Sequence, residues 1–134
     1  MMKTYKCRKI SKGVAKGKAL LSKDAVCFYT VEPETGIVIE KNHDIKGKVV
    51  TDTVLIIPSG KGSSVVQADG LYKLDMYKKA PAAIIVEHAD PVLVSSVIIM
   101  NVPMVHKVDP AFYEDVKDGD IVEIDADAEE VRIY

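Results

Sequence analysis

The sequence has no stretch long and apolar enough to cross a bilayer. Its longest apolar runs, near residues 80–86 and 92–100, fall well short of the roughly 20 residues that a spanning helix needs. It also lacks a basic face: 18 lysines and arginines stand against 20 aspartates and glutamates, for a formal charge of -2, with both signs mixed throughout. That pattern excludes a general polyanion binder, so no nucleic-acid partner is expected, and no basic amphipathic stretch points to a membrane surface. The opening MMKTYKCRKI carries no secretory apolar segment, which makes a cytoplasmic location the expectation.

Cysteine is scarce as well. Cys7 and Cys27 stand far apart with no CxxC spacing, too few for an all-protein thiolate cluster and unlike the dense pattern of a stapled secreted scaffold. They are expected to be reduced structural thiols. No metal or cofactor site is expected in this chain; a cluster, if the chemistry needs one, must be held by another chain.

What the sequence does contain is one domain's worth of residues, 134 in all, with no repeat, low-complexity tract or dividing linker. Residues 1–134 are therefore expected to form a single unit. TYKCRKI and VAKGKALLS read as strands on either side of a break at Ser11 to Gly13, with Gly13 and Gly17 marking turns or close backbone approach. Pro33 and Gly36 punctuate a turn, after which Ile37 to Ile39 enter another strand. KVVTDTVLIIP gives a β-branched strand, apolar on both faces at its end.

From Ser63 to about Lys79 the spacing predicts a helix with Val66, Leu71, Leu74 and Tyr77 on one face. Gly70 costs that helix about 1 kcal/mol relative to alanine, which predicts an irregularity there. AAIIVEH reads as a short buried strand, and DPVLVSSVIIMN as an apolar helix capped by Asp90 with Pro91 at its first position. The tail forms a hairpin, Ile121 to Ile124 against Val131 to Tyr134, across an acidic turn. Strands, then βαβα, then strands again predict an α/β fold: a barrel-like sheet with helices packed outside.

LIIPSGKGSSVV lies at a strand-to-helix junction and admits three readings. A phosphate-binding P-loop requires GxxxxGK followed by serine or threonine; here Leu55 occupies the first glycine's position and Gly62 follows Lys61, so that reading fails twice. In the second, Gly60 and Gly62 permit a tight turn and Ser63 caps the helix. In the third, the same helix start, with its unpaired N–H groups and partial positive charge, favours an anion, whether a bound carboxylate or phosphate or a serine alkoxide. An unactivated serine is a very poor base, so a site that uses one must stabilise the alkoxide, and Lys61 adds to that field.

GKGSS resembles the GxGSS turn of the swivelling domain of the aconitase superfamily. More of the chain resembles one branch, the aconitase X family: GVAKGKALLS is similar to its G-x-A-x-G-x-A-L-x-S opening, VEPETGIV to its D-P-x-T-G turn, NHDIKG to its H-x-L-x-G segment, and KKAPAAIIVEHAD to its G-x-A-P-A-A-I-I strand entry. The matches run in order from Gly13 to about Pro103. The resemblance implies a swivelling β/β/α domain that is the small subunit of a two-subunit hydro-lyase. It further implies a large catalytic partner, in a heterodimer or higher assembly, that carries a 4Fe–4S cluster.

The implied reaction is dehydration of a phosphorylated hydroxy acid, (R)-5-phosphomevalonate, to its trans-anhydro product in the mevalonate route to isoprenoids. Carried over by position, Ser63 is the base, Ser64 its neighbour in the turn, and Gly60, Lys61 and Gly62 shape the substrate pocket. Ordinary aconitases follow GSS with Arg-Glu, the arginine gripping a substrate carboxylate. Here Val65 and Val66 follow and the chain's arginines are Arg8 and Arg132 alone, which argues against citrate or isopropylmalate chemistry. Two alternatives stay open: a related hydroxy acid of the cis-3-hydroxyproline type, or a non-catalytic swivel module that only binds a partner. Of the remaining polar residues, His43 faces the cleft or lies exposed in a loop, and His88 and Asp90 follow a strand end where ligands collect. His106, Ser95 and Ser96 read as structural.

Overall fold

The computed structural model describes residues 2–134. TYKCRKI, expected as one strand, breaks at Cys7 into β1 (Lys3–Lys6) and β2 (Arg8–Ser11), and β3 (Val14–Leu21) follows. A 3-10 turn at Phe28–Thr30 opens a long irregular segment that ends at β4 (Val54–Ile57). Then come α1 (Ser64–Met76), β5 (Ala83–Val86), α2 (Pro91–Ile99), β6 (Met104–His106), α3 (Pro110–Asp115) and the hairpin β7 (Ile121–Asp125) and β8 (Glu130–Ile133).

All eight strands share one sheet in the order β1-β8-β7-β3-β4-β5-β6-β2. β3, β4, β5 and β6 run parallel, while the pairings of β1, β2, β7 and β8 are antiparallel. The two edge strands, β1 and β2, are separated in sequence by Cys7 alone, so the sheet must curl until its edges meet. Among the described residues no ladder joins those edges; the chain itself does, tied by bonds from Cys7 N–H to the Glu129 carbonyl (3.1 Å) and from Asp109 N–H to the Lys6 carbonyl (2.9 Å). The barrel-like sheet predicted from the element order is therefore present without closure by hydrogen bonds.

Curling divides the core in two, because successive side chains of a strand point to opposite faces. On β4, Val54 and Ile56 enter the concave core with Ile85, Phe112, Val122 and Ile124. Leu55 and Ile57 face outward into a second core made by Leu71 and Leu74 of α1, Leu93 and Val97 of α2, and Val26, Phe28, Val38 and Ile45 of the irregular segment. Both faces of β4 and β5 are thus covered, as continuous apolar runs require. The predicted terminal hairpin is present, with Val122 opposite Ile133 and Ile124 opposite Val131.

Several sequence expectations need correction. Ile37 to Ile39 is not a strand: Val38 and Ile37 make only isolated bridges, to Val31 and Val49, since Gly36 (φ 73°) turns the chain on one side and KNHD on the other. The β4 strand begins at Val54 rather than near Lys48, because Asp52 adopts a left-handed φ of 59° and Thr53 Oγ1 donates to the Val50 carbonyl at 2.7 Å. α1 stops at Met76, and Tyr77 is exposed. β6 and α3 are two elements beyond the sequence expectation, although Asp109–Pro110 carries the same start signal as Asp90–Pro91, with Asp109 accepting from Ala111 N–H.

Gly70 does not loosen α1. A Cβ there would lie 2.2 Å from Tyr29 N and 2.4 Å from Phe28 C, so the bare glycine lets the helix rest directly on the 3-10 turn's backbone. Gly70→Ala should therefore destabilise by roughly 1–3 kcal/mol despite a helix-propensity gain of about 1 kcal/mol. Denaturant unfolding checks the sign; a variant as stable as wild type would mean the helix can shift at no cost.

Candidate active site

The chain leaves β4 at Pro58 and runs alongside Val26, with Val26 N–H donating to the Ser59 carbonyl (3.0 Å) and Lys61 N–H to the Val26 carbonyl (3.1 Å). Gly62 then turns at φ 105°, seated over Cys27, whose sulfur would be 3.2 Å from an added Cβ. Gly60 is required for a different reason: a Cβ there would lie 2.6 Å from Gln67 Oε1. Ser63 has extended backbone and is the N-cap of α1. Its Oγ accepts from Val66 N–H at 3.5 Å, a long and weak bond, and its carbonyl accepts from Gln67 N–H at 3.0 Å. The N–H groups of Ser63, Ser64 and Val65 have no acceptor among the described residues, as expected at a helix start. The exposed Ser63 hydroxyl thus stands in a fan of free donors at the positive end of a helix dipole, where an anion is favoured.

Lys61, expected to shape the pocket, is engaged. Its Nζ lies 2.5 Å from Glu40 Oε2, and Glu40 Oε1 accepts from Thr30 Oγ1 at 3.2 Å. The hydrogen bond from Lys61 holds the Glu40 carboxyl below the usual carboxylate range against its partial burial. Beneath the turn, Gln67 is 4% exposed and donates Nε2–H to the Gly62 carbonyl at 2.8 Å. Sequence reasoning missed both residues. Gln67 was detectable as the polar residue on the buried face of α1, where Val66 had been expected; Glu40 gave no local signal.

The family profile of the aconitase X swivel domain matches residues 4–133. The chain belongs to that family. It is 45% identical, over 92% of its length and 93% of the relative's, to the phosphomevalonate dehydratase small subunit of Methanocella arvoryzae. It is 40% identical to that of Thermococcus sibiricus, over 96% of both chains. The crystal structure of Thermococcus kodakaraensis aconitase X in its holo form superposes with a TM-score of 0.89, at 39% identity and with 98% of both chains covered.

Within this aconitase X swivel fold the other polar candidates fall into place. His43 is neither exposed nor in a cleft: it is 7% exposed. Its Nε2 donates to the Ala25 carbonyl (2.9 Å), and its Nδ1 lies 3.3 Å from Ile45 N and 3.2 Å from Asp44 Oδ1. Asp24, His43 and Asp44 place potential ligand atoms within 4.8 Å of one another, and these atoms are engaged within the loop: Asp44 accepts from Ser22 Oγ and Lys23 N–H, and Asp24 accepts from Asp44 N–H. The trio therefore knits a loop. Asp90 caps α2, accepting from Val92 N–H at 3.1 Å; His88 is exposed nearby. Ser95 and Ser96 bond back to the carbonyls of Pro91 and Val92.

Nor do the cysteines suit an iron–sulfur cluster. Both are free and buried, Cys7 in the concave core and Cys27 under Gly62, whereas a cluster needs several thiolates converging on one point. Beyond the turn the surface carries exposed apolar side chains, Val65 at 77% and Ile99, the last residue of α2, at 76%, and Ser64, Pro91, Val92 and Ile99 line a shallow cavity of about 360 Å³ between the start of α1 and the length of α2.

The Lys61–Glu40 pair ties the turn to the irregular segment. A carboxyl whose folded pKa is depressed contributes stability above its unfolded pKa and loses it as pH falls through the folded one. Glu40→Gln should cost under about 1 kcal/mol at neutral pH, as partly exposed pairs do, with the deficit shrinking as pH falls through the depressed Glu40 pKa. Unfolding across pH tests this; a deficit independent of pH would assign the effect to packing.

Proposed function

We propose that this chain is the small subunit of a phosphomevalonate dehydratase, and that Ser63 is the base that takes the proton from the substrate carbon. The observation that carries the reading is Ser63 at the start of α1, its hydroxyl only weakly bonded and ringed by unpaired N–H groups. The names of the archaeal relatives support the substrate, and none of them favours a hydroxyproline-type acid.

Removing water from a β-hydroxy acid breaks a weakly acidic C–H bond beside the carboxylate. Its electron pair forms the new double bond while hydroxide leaves from the adjacent carbon. For Ser63 to accept that proton it must be held as alkoxide, and the N–H fan together with the helix dipole supplies the compensating field. Gly60 and Gly62 shape the turn from within, the one by making room for the Gln67 amide and the other by its left-handed φ over Cys27, Ser64 adds a second exposed hydroxyl beside the base, and Lys61 sets the turn through Glu40.

The departing hydroxide needs a Lewis acid, and among the described residues the two cysteines, Cys7 and Cys27, are buried apart and bring no thiolates together near Ser63. That task falls to a larger partner subunit carrying the iron–sulfur cluster. Val65 and Ile99 give that partner an apolar surface beside the turn, of the kind that marks interaction sites. A cytoplasmic setting suits such an enzyme.

The test is anaerobic dehydration of 5-phosphomevalonate by the chain co-expressed with its large subunit. Ser63→Ala should remove a helix cap worth about 0.5–2 kcal/mol, at the low end given the long bond, yet lower turnover by roughly 10²–10⁴ or more in an assembled enzyme. Full turnover in that variant would leave the chain as a non-catalytic swivel module. An inactive wild type with an intact cluster would point to another hydroxy acid.

A further inference from the structure

Gln67 occupies a place where α1 should be apolar. It lies on the same face as Leu71 and Leu74 and is as buried as a core residue. Its Nε2 donates to the Gly62 carbonyl at 2.8 Å, while its Oε1 is buried with no hydrogen-bond partner among the described residues. A buried acceptor left unpaired is a standing cost that a leucine would avoid. The one polar contact that this side chain makes is with the residue immediately before Ser63.

That contact has a directional consequence. In a planar trans peptide the C=O and N–H point in opposite directions, so holding the Gly62 carbonyl down onto Gln67 turns the Ser63 N–H away from the core. Gly62, at φ 105°, is the most permissive point of the turn, and glycine alone does not fix which way the peptide that follows it faces. We propose that Gln67 is a positioning residue for the Ser63 base: its buried amide clamps the Gly62–Ser63 peptide so that the N–H groups at the start of α1 face the substrate. Gly60 is part of the same device, since any larger residue would displace the Gln67 amide. The inference rests on the assignment of Ser63 as base, and Ser63→Ala tests that assignment separately.

The experiment uses the assembled two-subunit enzyme with Gln67→Leu, which keeps the packing and removes the clamp, and Gln67→Glu, which makes the clamp depend on protonation. Gln67→Leu should lower kcat by roughly 10–100-fold with KM little changed. The acid limb of its pH profile should move to higher pH, because a less stabilised alkoxide is harder to form. Gln67→Glu should recover activity relative to wild type as pH falls, since only the protonated carboxyl can donate to the Gly62 carbonyl. Independently of turnover, hydrogen–deuterium exchange across residues 59–67 of the Gln67→Leu enzyme should quicken severalfold while the β4 and β5 strands stay protected.

Unchanged exchange in this segment, or a Gln67→Leu enzyme with the wild-type kcat and pH profile, overturns the proposal. So does a loss of activity that merely tracks a loss of assembled enzyme with the pH profile intact. Should Gln67→Leu fail to assemble, Gln67→Glu decides: a ratio to wild type that stays flat with pH overturns the clamp. An inactive Ser63→Ala beside an unaffected Gln67→Leu would refute the positioning role alone.

Discussion

A single residue between two strands that must sit at opposite edges of one sheet is the constraint from which the rest of this structure follows. With only Cys7 to separate β1 from β2, eight strands cannot lie flat. The curl they adopt makes one concave core and leaves one convex face to be covered. α1, α2 and the irregular segment cover it, and since α1 follows β4 and α2 follows β5 across parallel strands, the two helices start at the same end of the sheet. Ser63 and Asp90, the two caps, therefore belong to one rim. The candidate base is a product of topology before it is a product of its own side chain.

At that rim the shape of the turn depends on small residues doing unlike jobs. Gly62 supplies a left-handed turn, Gly60 makes room for an amide, and Gly70, far along the helix, lets α1 settle against the backbone of Phe28 and Tyr29. Gly62 and Gly70 draw α1 close to the 27–29 segment, and Gly60 leaves room between the turn and Leu93. Lys61 then reaches across to Glu40, so the turn is braced from below by Gln67 and from the side by the 39–48 loop. Ser63 itself is barely bonded, and a hydroxyl so placed keeps its lone pairs available.

Much of this was legible in the sequence, and the failures have physical causes. The strands around Ala83 to Val86 and Ile121 to Ile124, the caps at Ser63 and Asp90, and the GKGSS turn were readable because each rests on local rules of alternation, capping and backbone freedom. The break at Cys7 was not, since nothing in TYKCRKI says that its two halves pair with strands nearly a hundred residues further on or more. Ile37 to Ile39 misled because β-branched residues favour strands only where a neighbour is free to pair. The clamps by Gln67 and Glu40 were hidden for a related reason: a long-range partner has no signature in the residue that waits for it.

The seam at Cys7 has one more consequence. Burial, with Glu129 nearby, pushes this thiol up to about 11, so at neutral pH it is almost wholly protonated and a poor nucleophile. It nevertheless lines a surface cavity of about 510 Å³ with Lys6, Arg8, Lys107 and Glu129, so a thiol reagent meets there a site that is open but slow to react. A change in the rate at which Cys7 is alkylated therefore reports a change in the packing of the seam, read at the residue that sets the curl.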